Sequence, residues 1–112
     1  MSKEARRIVL RREQRGPNKF SLWAYLDDDG NLHIDGQDLG PITASVSSDG
    51  EYEYFKTIPA PFVPELLALL GAAANTNPLD ELDNNWCDAA SWDLERVLAE
   101  STIPVKLHTY GG

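Results

Sequence analysis

Three groups of residues in this chain of 112 are of types that could do chemistry. Cys87, His33 and His108 are the raw material of a thiol nucleophile and an imidazole base. Nothing local supports the pairing. Trp86-Cys87-Asp88 is no nucleophile turn, and a lone cysteine beside a tryptophan reads as a small buried hydrophobe. Two histidines and one cysteine also fall short of the four ligands of a structural zinc site. The run Asp27-Asp28-Asp29-Gly30-Asn31 invites a calcium reading. An EF-hand loop needs Asp first, Gly sixth and Glu twelfth, and setting Gly30 sixth puts Tyr25 first and Gly36 twelfth. Both positions fail, and a tight turn explains the same residues. Carboxylate pairs are the third group: Asp35 with Asp38, Glu51 with Glu53, Asp80 with Asp83. A glycosidase holds two such groups across a sugar cleft with separated pKa values. Among eighteen carboxylates, chance pairs on a solvated acidic face are expected. The sequence thus assigns no catalytic residue, no cofactor and no metal.

Charge is the stronger signal. Residues 1–19 hold seven of the ten basic residues, Lys3, Arg6, Arg7, Arg11, Arg12, Arg15 and Lys19, against Glu4 and Glu13, a net of +5. Residues 20–112 hold three basic and sixteen acidic residues, a net of −13. A body that acidic repels phosphate and attracts a cationic partner. The basic arginines do not alternate onto one clean face, so a basic edge strand beside acidic neighbours accounts for them, and nucleic acid is not an expected partner. The longest apolar stretch, Leu66 to Ala74, is too short to span a membrane. Ile8-Val9-Leu10 runs at once into Arg11 and Arg12, which does not suit a secretory signal. One cysteine favours a reducing compartment, so the expected location is the cytoplasm.

These side chains must be positioned by elements that the pattern predicts. The length suits one domain over residues 1–112, with 1–6 as a frayed arm, able to bury roughly two-thirds of its unfolded surface. Arg7 to Gln14 reads as a strand with Ile8 and Leu10 on one face and Val9 on the other. After the turn signal Gly16-Pro17-Asn18, the run Phe20 to Leu26 alternates, with Phe20, Leu22, Ala24 and Leu26 opposite Ser21, Trp23 and Tyr25. A three-residue loop at Asp28-Asp29-Gly30 sets Leu26 opposite Leu32 and Ala24 opposite Ile34, and gives Gly30 the left-handed position of a type I turn with a G1 bulge. His33 then lies on the face opposite Leu32 and Ile34.

The same logic at Ser48-Asp49-Gly50 sets Val46 opposite Tyr52 and Ala44 opposite Tyr54, with Ser45, Ser47, Glu51 and Glu53 on the other face. Gly36 to Pro41 is read as a longer connection, because Gly40-Pro41 breaks a ladder. Pro64 opens a helix through Leu70, closed by Gly71. Ala72 to Pro78 is a loop and Leu79 to Trp86 a short helical turn. Ser91 caps a helix over Trp92–Glu100 whose apolar face is Leu94, Val97 and Leu98, and Ile103 to Tyr110 closes the sheet. The fold class is α+β: an antiparallel sheet from two hairpins plus N-terminal and C-terminal strands, with two or three helices on one face. Gly111-Gly112 ends the chain, and its setting does not match a β-grasp.

Trp23 and Tyr25 fall on the sheet face away from Leu22, Ala24 and Leu26, and Phe55 falls away from Tyr52 and Tyr54. One face must pack the helices, so some of these rings are left on the other, unless loops or the N-terminal strand cover them. Rings among carboxylates suit a protein-binding patch. The segment Leu22 to Gly71, with Asp29-Gly30-Asn31-Leu32-His33-Ile34-Asp35-Gly36-Gln37-Asp38-Leu39-Gly40-Pro41, then Tyr52-Glu53-Tyr54, then Val63-Pro64-Glu65-Leu66-Leu67, resembles small acidic bacterial proteins of unassigned role. Some similar proteins accompany toxin systems as immunity proteins. Those share no common motif, so the resemblance assigns no residues. The expected function is a non-enzymatic binding module, immunity- or antitoxin-like, covering a basic protein such as a nuclease-type toxin. Its expected contact residues are Trp23, Tyr25, Asp27, Asp35, Asp38, Glu51, Glu53 and Phe55. A homodimer is compatible with this reading, and the rival is a small hydrolase or ligand-binding enzyme with a pocket between sheet and helices.

Overall fold

A computed structural model describes residues 6–44 and 50–111. Alternating apolar residues build five strands: β1 (Arg7–Arg15), β2 (Asn18–Leu26), β3 (Leu32–Leu39), β4 (Glu51–Ile58) and β5 (Lys106–Gly111). They form one antiparallel sheet in the order β1-β2-β3-β4-β5. Three helices, α1 (Val63–Leu69), α2 (Pro78–Asn85) and α3 (Ala89–Glu100), lie between β4 and β5 in the chain. The fold is α+β, as the element order predicts. No helix among the described residues is long and apolar enough to cross a membrane.

The first hairpin has the predicted register, with Ala24 opposite Ile34 and Leu26 opposite Leu32. Gly30 has φ +83° and donates its N–H to the Asp27 carbonyl. The second predicted hairpin does not form as read. β3 continues through Gly36, Gln37 and Asp38 and pairs directly with β4, so Tyr54 faces Gly36 and Tyr52 faces Asp38. Ala44 follows a 3-10 turn at Pro41–Thr43, and Val46 lies outside the described residues, as do Ser45, Ser47, Ser48 and Asp49. Gly40-Pro41 does break the ladder, but only after Leu39.

β1 contains the decisive irregularity. Its register against β2 shifts between Val9 and Arg11, so that Ile8 faces Ala24 while Arg11 faces Leu22. Leu10 is the extra residue of a β-bulge, and both Leu10 and Arg11 become buried on the inner side. The inner side also carries Ile8, Leu22, Ala24, Leu32, Ile34 and Ile58, packed against Leu66, Leu67, Leu79, Leu82, Leu94 and Leu98 of the helices.

Helix boundaries differ from the sequence reading in ways the local contacts explain. α2 begins at Pro78, because the Asn77 side chain accepts hydrogen bonds from the N–H groups of Leu79 and Asp80. α3 begins at Ala89, so Ser91 is no cap. Its hydroxyl donates to the Asp88 carbonyl at 2.6 Å and accepts from Arg11. β5 begins only at Lys106, and Ile103 is a core residue ahead of it. Of the predicted frayed arm only Arg6 is described, and it pairs with Asp80 at 2.5 Å.

Gly36 is the tightest point of the sheet. A methyl group added there would fall inside the Tyr54 ring, which lies across the glycine. Gly36→Ala is expected to cost about 1–3 kcal/mol by overpacking, read as a lower urea midpoint at unchanged slope. Shortening the ring in Gly36→Ala/Tyr54→Leu should recover part of that loss.

Candidate functional site

Strand alternation divides the sheet into two unlike faces. On the face away from the helices, three cross-strand rows can be read from the pairing. Tyr25, His33 and Thr57 form one row; Trp23, Asp35, Phe55 and His108 the next; Ser21, Gln37, Glu53 and Tyr110 the third. Of the eight predicted contact residues, Trp23, Tyr25, Asp35, Glu51, Glu53 and Phe55 share this face. Asp27 stands at the end of it, in the turn. Asp38 does not belong: it lies on the inner face, between Phe20 and Tyr52, because it is an odd number of residues from Asp35 on one strand.

The row of Tyr25 is rigidly supported. Its ring stacks on His33 with centroids 4.5 Å apart and planes 3° apart. His33 Nε2 lies 2.8 Å from Asp27 Oδ2, and its Nδ1 lies 3.3 Å from the Thr57 hydroxyl. Asp27 also accepts the backbone N–H groups of Asp29 and Asn31 and the Asn31 side chain. These bonds, that to His33 foremost, hold its carboxyl down at about 2. Asp27 is therefore the knot of the turn, and its oxygens are already engaged.

Asp35 is the opposite case. It is only 5 % exposed although no helix covers it, because Trp23 and Phe55 stand directly beside it on the neighbouring strands. Its Oδ1 is buried without a hydrogen-bond partner. Burial pushes its carboxyl up, and His33 and Arg7 offset this only in part. The Arg7 guanidinium lies over Trp23, 4.6 Å from the ring centroid. Nearby, Glu53 is raised by the carboxyl of Glu51, which also accepts from Gln37 Nε2 at 2.8 Å. Sequence reasoning takes Asp35 as one carboxylate of a solvated acidic face. It missed the burial because that depends on β3 pairing directly with β4, which brings Phe55 alongside. It also passed over Arg7 and His33, whose shared face with Trp23 and Tyr25 follows from the same alternation.

The net charge is unevenly distributed because the basic residues are, while the carboxylates are spread along the chain. Residues 59–105, which hold the helices and their loops, carry eight acidic residues and one basic residue, a net of −7 out of −8. On the open face, Asp35, Glu51 and Glu53 share the surface with Arg7, Arg12, Lys19 and Lys106. The open face is therefore aromatic and mixed in charge, and the strongest negative potential belongs to the helical layer.

Between the layers lies a second polar group, in the region the enzyme reading would need. Arg11, 1 % exposed, donates from Nε to Ser91 Oγ at 2.9 Å and stacks under Trp92, 3.4 Å from its centroid. Its Nη2 is 2.7 Å from Glu95 Oε1, a charge contact without hydrogen-bond alignment. Lys56 Nζ reaches Glu95 Oε2 at 3.1 Å. Tyr54 and Asp38 complete the group, and burial raises the pKa of both. Of three surface cavities, of about 260, 330 and 300 Å³, the first is bordered by Arg11 and the second by Lys56 and Leu98, and none of the three is lined by Asp35, Asp38 or Tyr54.

Cys87 sits on the helical side, its Sγ directed at the carbonyls of Val9, Leu82 and Asp83. His33 and His108 are on the open face, so the sheet separates the thiol from both imidazoles. Among the described residues no group of three or more His, Cys, Asp or Glu could share a metal ion. No family model, curated protein or solved structure matches the chain significantly.

Two outcomes follow from these environments. The folded-state pKa of Asp35 is raised, so its ionised form opposes folding at neutral pH and stops doing so below its unfolded value. Asp35→Asn should therefore raise stability at pH 7 by about 1 kcal/mol. That gain should shrink on acidification and vanish near about pH 3, as followed by thermal unfolding across pH. Arg11→Met should behave differently. It leaves Glu95 with Lys56 as its partner and should cost about 2–4 kcal/mol, measured by urea denaturation.

Proposed function

We propose that this chain is a non-enzymatic binding protein that covers a basic protein with its open sheet face, in the manner of an immunity protein neutralising a toxin. The observation that supports this most is the uncovered patch of half-buried Trp23, Tyr25 and Phe55 around a carboxylate whose Oδ1 is buried without a hydrogen bond. Rings on a rigid sheet offer contact area with little rotamer entropy to lose, which is the character of interface anchors. Five strands at about 4.8 Å spacing and eight residues at about 3.4 Å give a face of about 600 Å², close to the roughly 800 Å² per partner of a standard interface.

The net charge of −8 supports a cationic partner over a phosphate surface. Arg7, Arg12, Lys19 and Lys106 at the margins of the face set the orientation in which that partner docks. The protein acts in the cytoplasm, where Cys87 stays reduced. A nuclease-type toxin, whose substrate groove is cationic, is the concrete partner.

The test is co-production with the product of the adjacent gene, scoring growth and complex formation on gel filtration. The expected result is a protective complex that Trp23→Ser/Phe55→Ser abolishes, with a melting temperature close to that of the parent. Asp83→Asn/Asp93→Asn on the helical layer should leave it intact. A complex lost by the helical variant and kept by the ring variant would move the interface to the other side of the molecule.

A further inference from the structure

We propose that Trp23, Asp35 and Phe55 form a guanidinium site that takes one arginine side chain of the partner protein. This deepens the binding-protein reading and rests on it for the source of the arginine. The three residues are direct cross-strand neighbours on β2, β3 and β4. The two ring-bearing positions are therefore two strand spacings apart, about 10 Å, with the carboxylate between them. Side chains now close over the carboxylate, so a planar cation enters by parting Trp23 and Phe55, stacks at about 3.5–4 Å from a ring and meets the carboxylate at its base.

Three observations favour this occupant. Asp35 is 95 % buried by its 5 % exposure, yet its Oδ1 accepts nothing, so the site lacks a donor. A cationic donor serves best, because the buried group is an anion whose charge no ion pair offsets among the described residues. Trp23 already holds one guanidinium, that of Arg7, against its ring. Arg7 is an exposed side chain at the rim, and its position leaves Asp35 Oδ1 unbonded. It marks the ring as cation-accepting and is the natural competitor for an incoming arginine. Arginine is preferred to lysine, since its planar fork both stacks on the rings and donates two parallel bonds to one carboxylate. Trp23 also borders the cavity of about 260 Å³ that Arg7, Arg12, Ser21 and Gln37 help to line, which gives its ring room to shift on binding.

The groups that face Asp35 are His33 on its own strand, Arg7 on β1, Tyr25 on β2, Glu53 on β4 and His108 on β5. Bound guanidinium favours ionised Asp35, so binding should weaken as acidification protonates it.

The experiment titrates the protein with N-acetylarginine amide at neutral pH and follows the Trp23 indole N–H and Phe55 ring signals by NMR. N-acetylcitrulline amide, of the same shape but neutral, is the control. Saturable shifts with the arginine probe and at least tenfold weaker binding of citrulline are expected. Asp35→Asn should weaken the arginine probe at least tenfold. Because that variant is expected to be more stable than the parent, unfolding cannot account for the loss. Arg7→Gln should tighten binding two- to fivefold.

Equal binding of the two probes, undiminished binding to Asp35→Asn, or shifts centred away from Trp23 and Phe55 would overturn the site. The two readings fail separately. Asp35→Asn that still forms the complex with the adjacent gene product removes the guanidinium site and leaves the binding reading standing. Arginine binding without any such complex does the reverse.

Discussion

Arg11 carries a full positive charge into the space between the sheet and α3, and the layers meet around it. A guanidinium withdrawn from water is costly unless charge, hydrogen bonds and ring contact replace its hydration. Glu95 supplies the charge, Ser91 the acceptor and Trp92 the ring, all from α3. That requirement explains why α3 starts at Ala89, ahead of the serine that would have made a good cap. A serine turned to solvent at the helix start could not reach Nε of Arg11. The bulge at Leu10 is the other half of the device. Without it, strict alternation would send Arg11 outward with Val9 and bury Arg12 in its place.

The same constraint explains the sheet's two characters. With all three helices held to the inner side, hydrophobic side chains alternate inward and the outer side is left with rings and polar groups. Gly36 is where the inner layer is closest. By lacking a side chain it lets Tyr54 lie flat toward Arg11, and the raised pKa of Tyr54 reflects how dry that position is. The net negative charge falls on the helical layer because Arg96 is the one basic residue in 59–105. The open face keeps a small number of charges set among aromatic rings. Under the proposed function, long-range attraction and local recognition fall to different sides of the molecule, which differs from the single acidic and aromatic surface that composition suggests.

The parts of this arrangement legible in the sequence were those with short-range signals. Asp28-Asp29-Gly30 between alternating runs determines a hairpin and its register, and Gly71 after a leucine-rich run determines a helix end. Trp23, Tyr25 and Phe55 fell on the open face because period-two alternation is enough to place them. What was not legible depends on contacts made at a distance. A bulge has no composition signature in Val9-Leu10-Arg11. Its effect shows only when α3 presents Ser91 and Glu95, eighty residues on in the chain for the Ser91 bond. Gly40-Pro41 marks Gly36 to Pro41 as a connection in the sequence, because a proline breaks the ladder, yet the strand runs on through Gly36. The Tyr54 ring that makes this glycine necessary comes from the next strand. Ending β3 before Gly36 leaves β4 to pair with the wrong segment and hides that Asp38 stays in the strand and points inward.

Asp35 and Asp38 show what separates architecture from recognition in this chain. They are three residues apart on β3, both raised by burial, and each has an Oδ1 without a hydrogen bond. Asp38 faces the closed inner layer, where Arg11 is a fixed neighbour and Glu95 a fixed opponent. Its strain is a permanent part of the packing, balanced by the cluster as a whole. Asp35 faces the side that no helix covers, with only the rim charge of Arg7 and the ring of His33 to temper it. A carboxylate left short of partners on an open face can be relieved by something that arrives, and the free energy released then appears as affinity. Two chemically alike side chains thus acquire different surroundings, and under the proposed function different roles, from the parity of their positions along one strand.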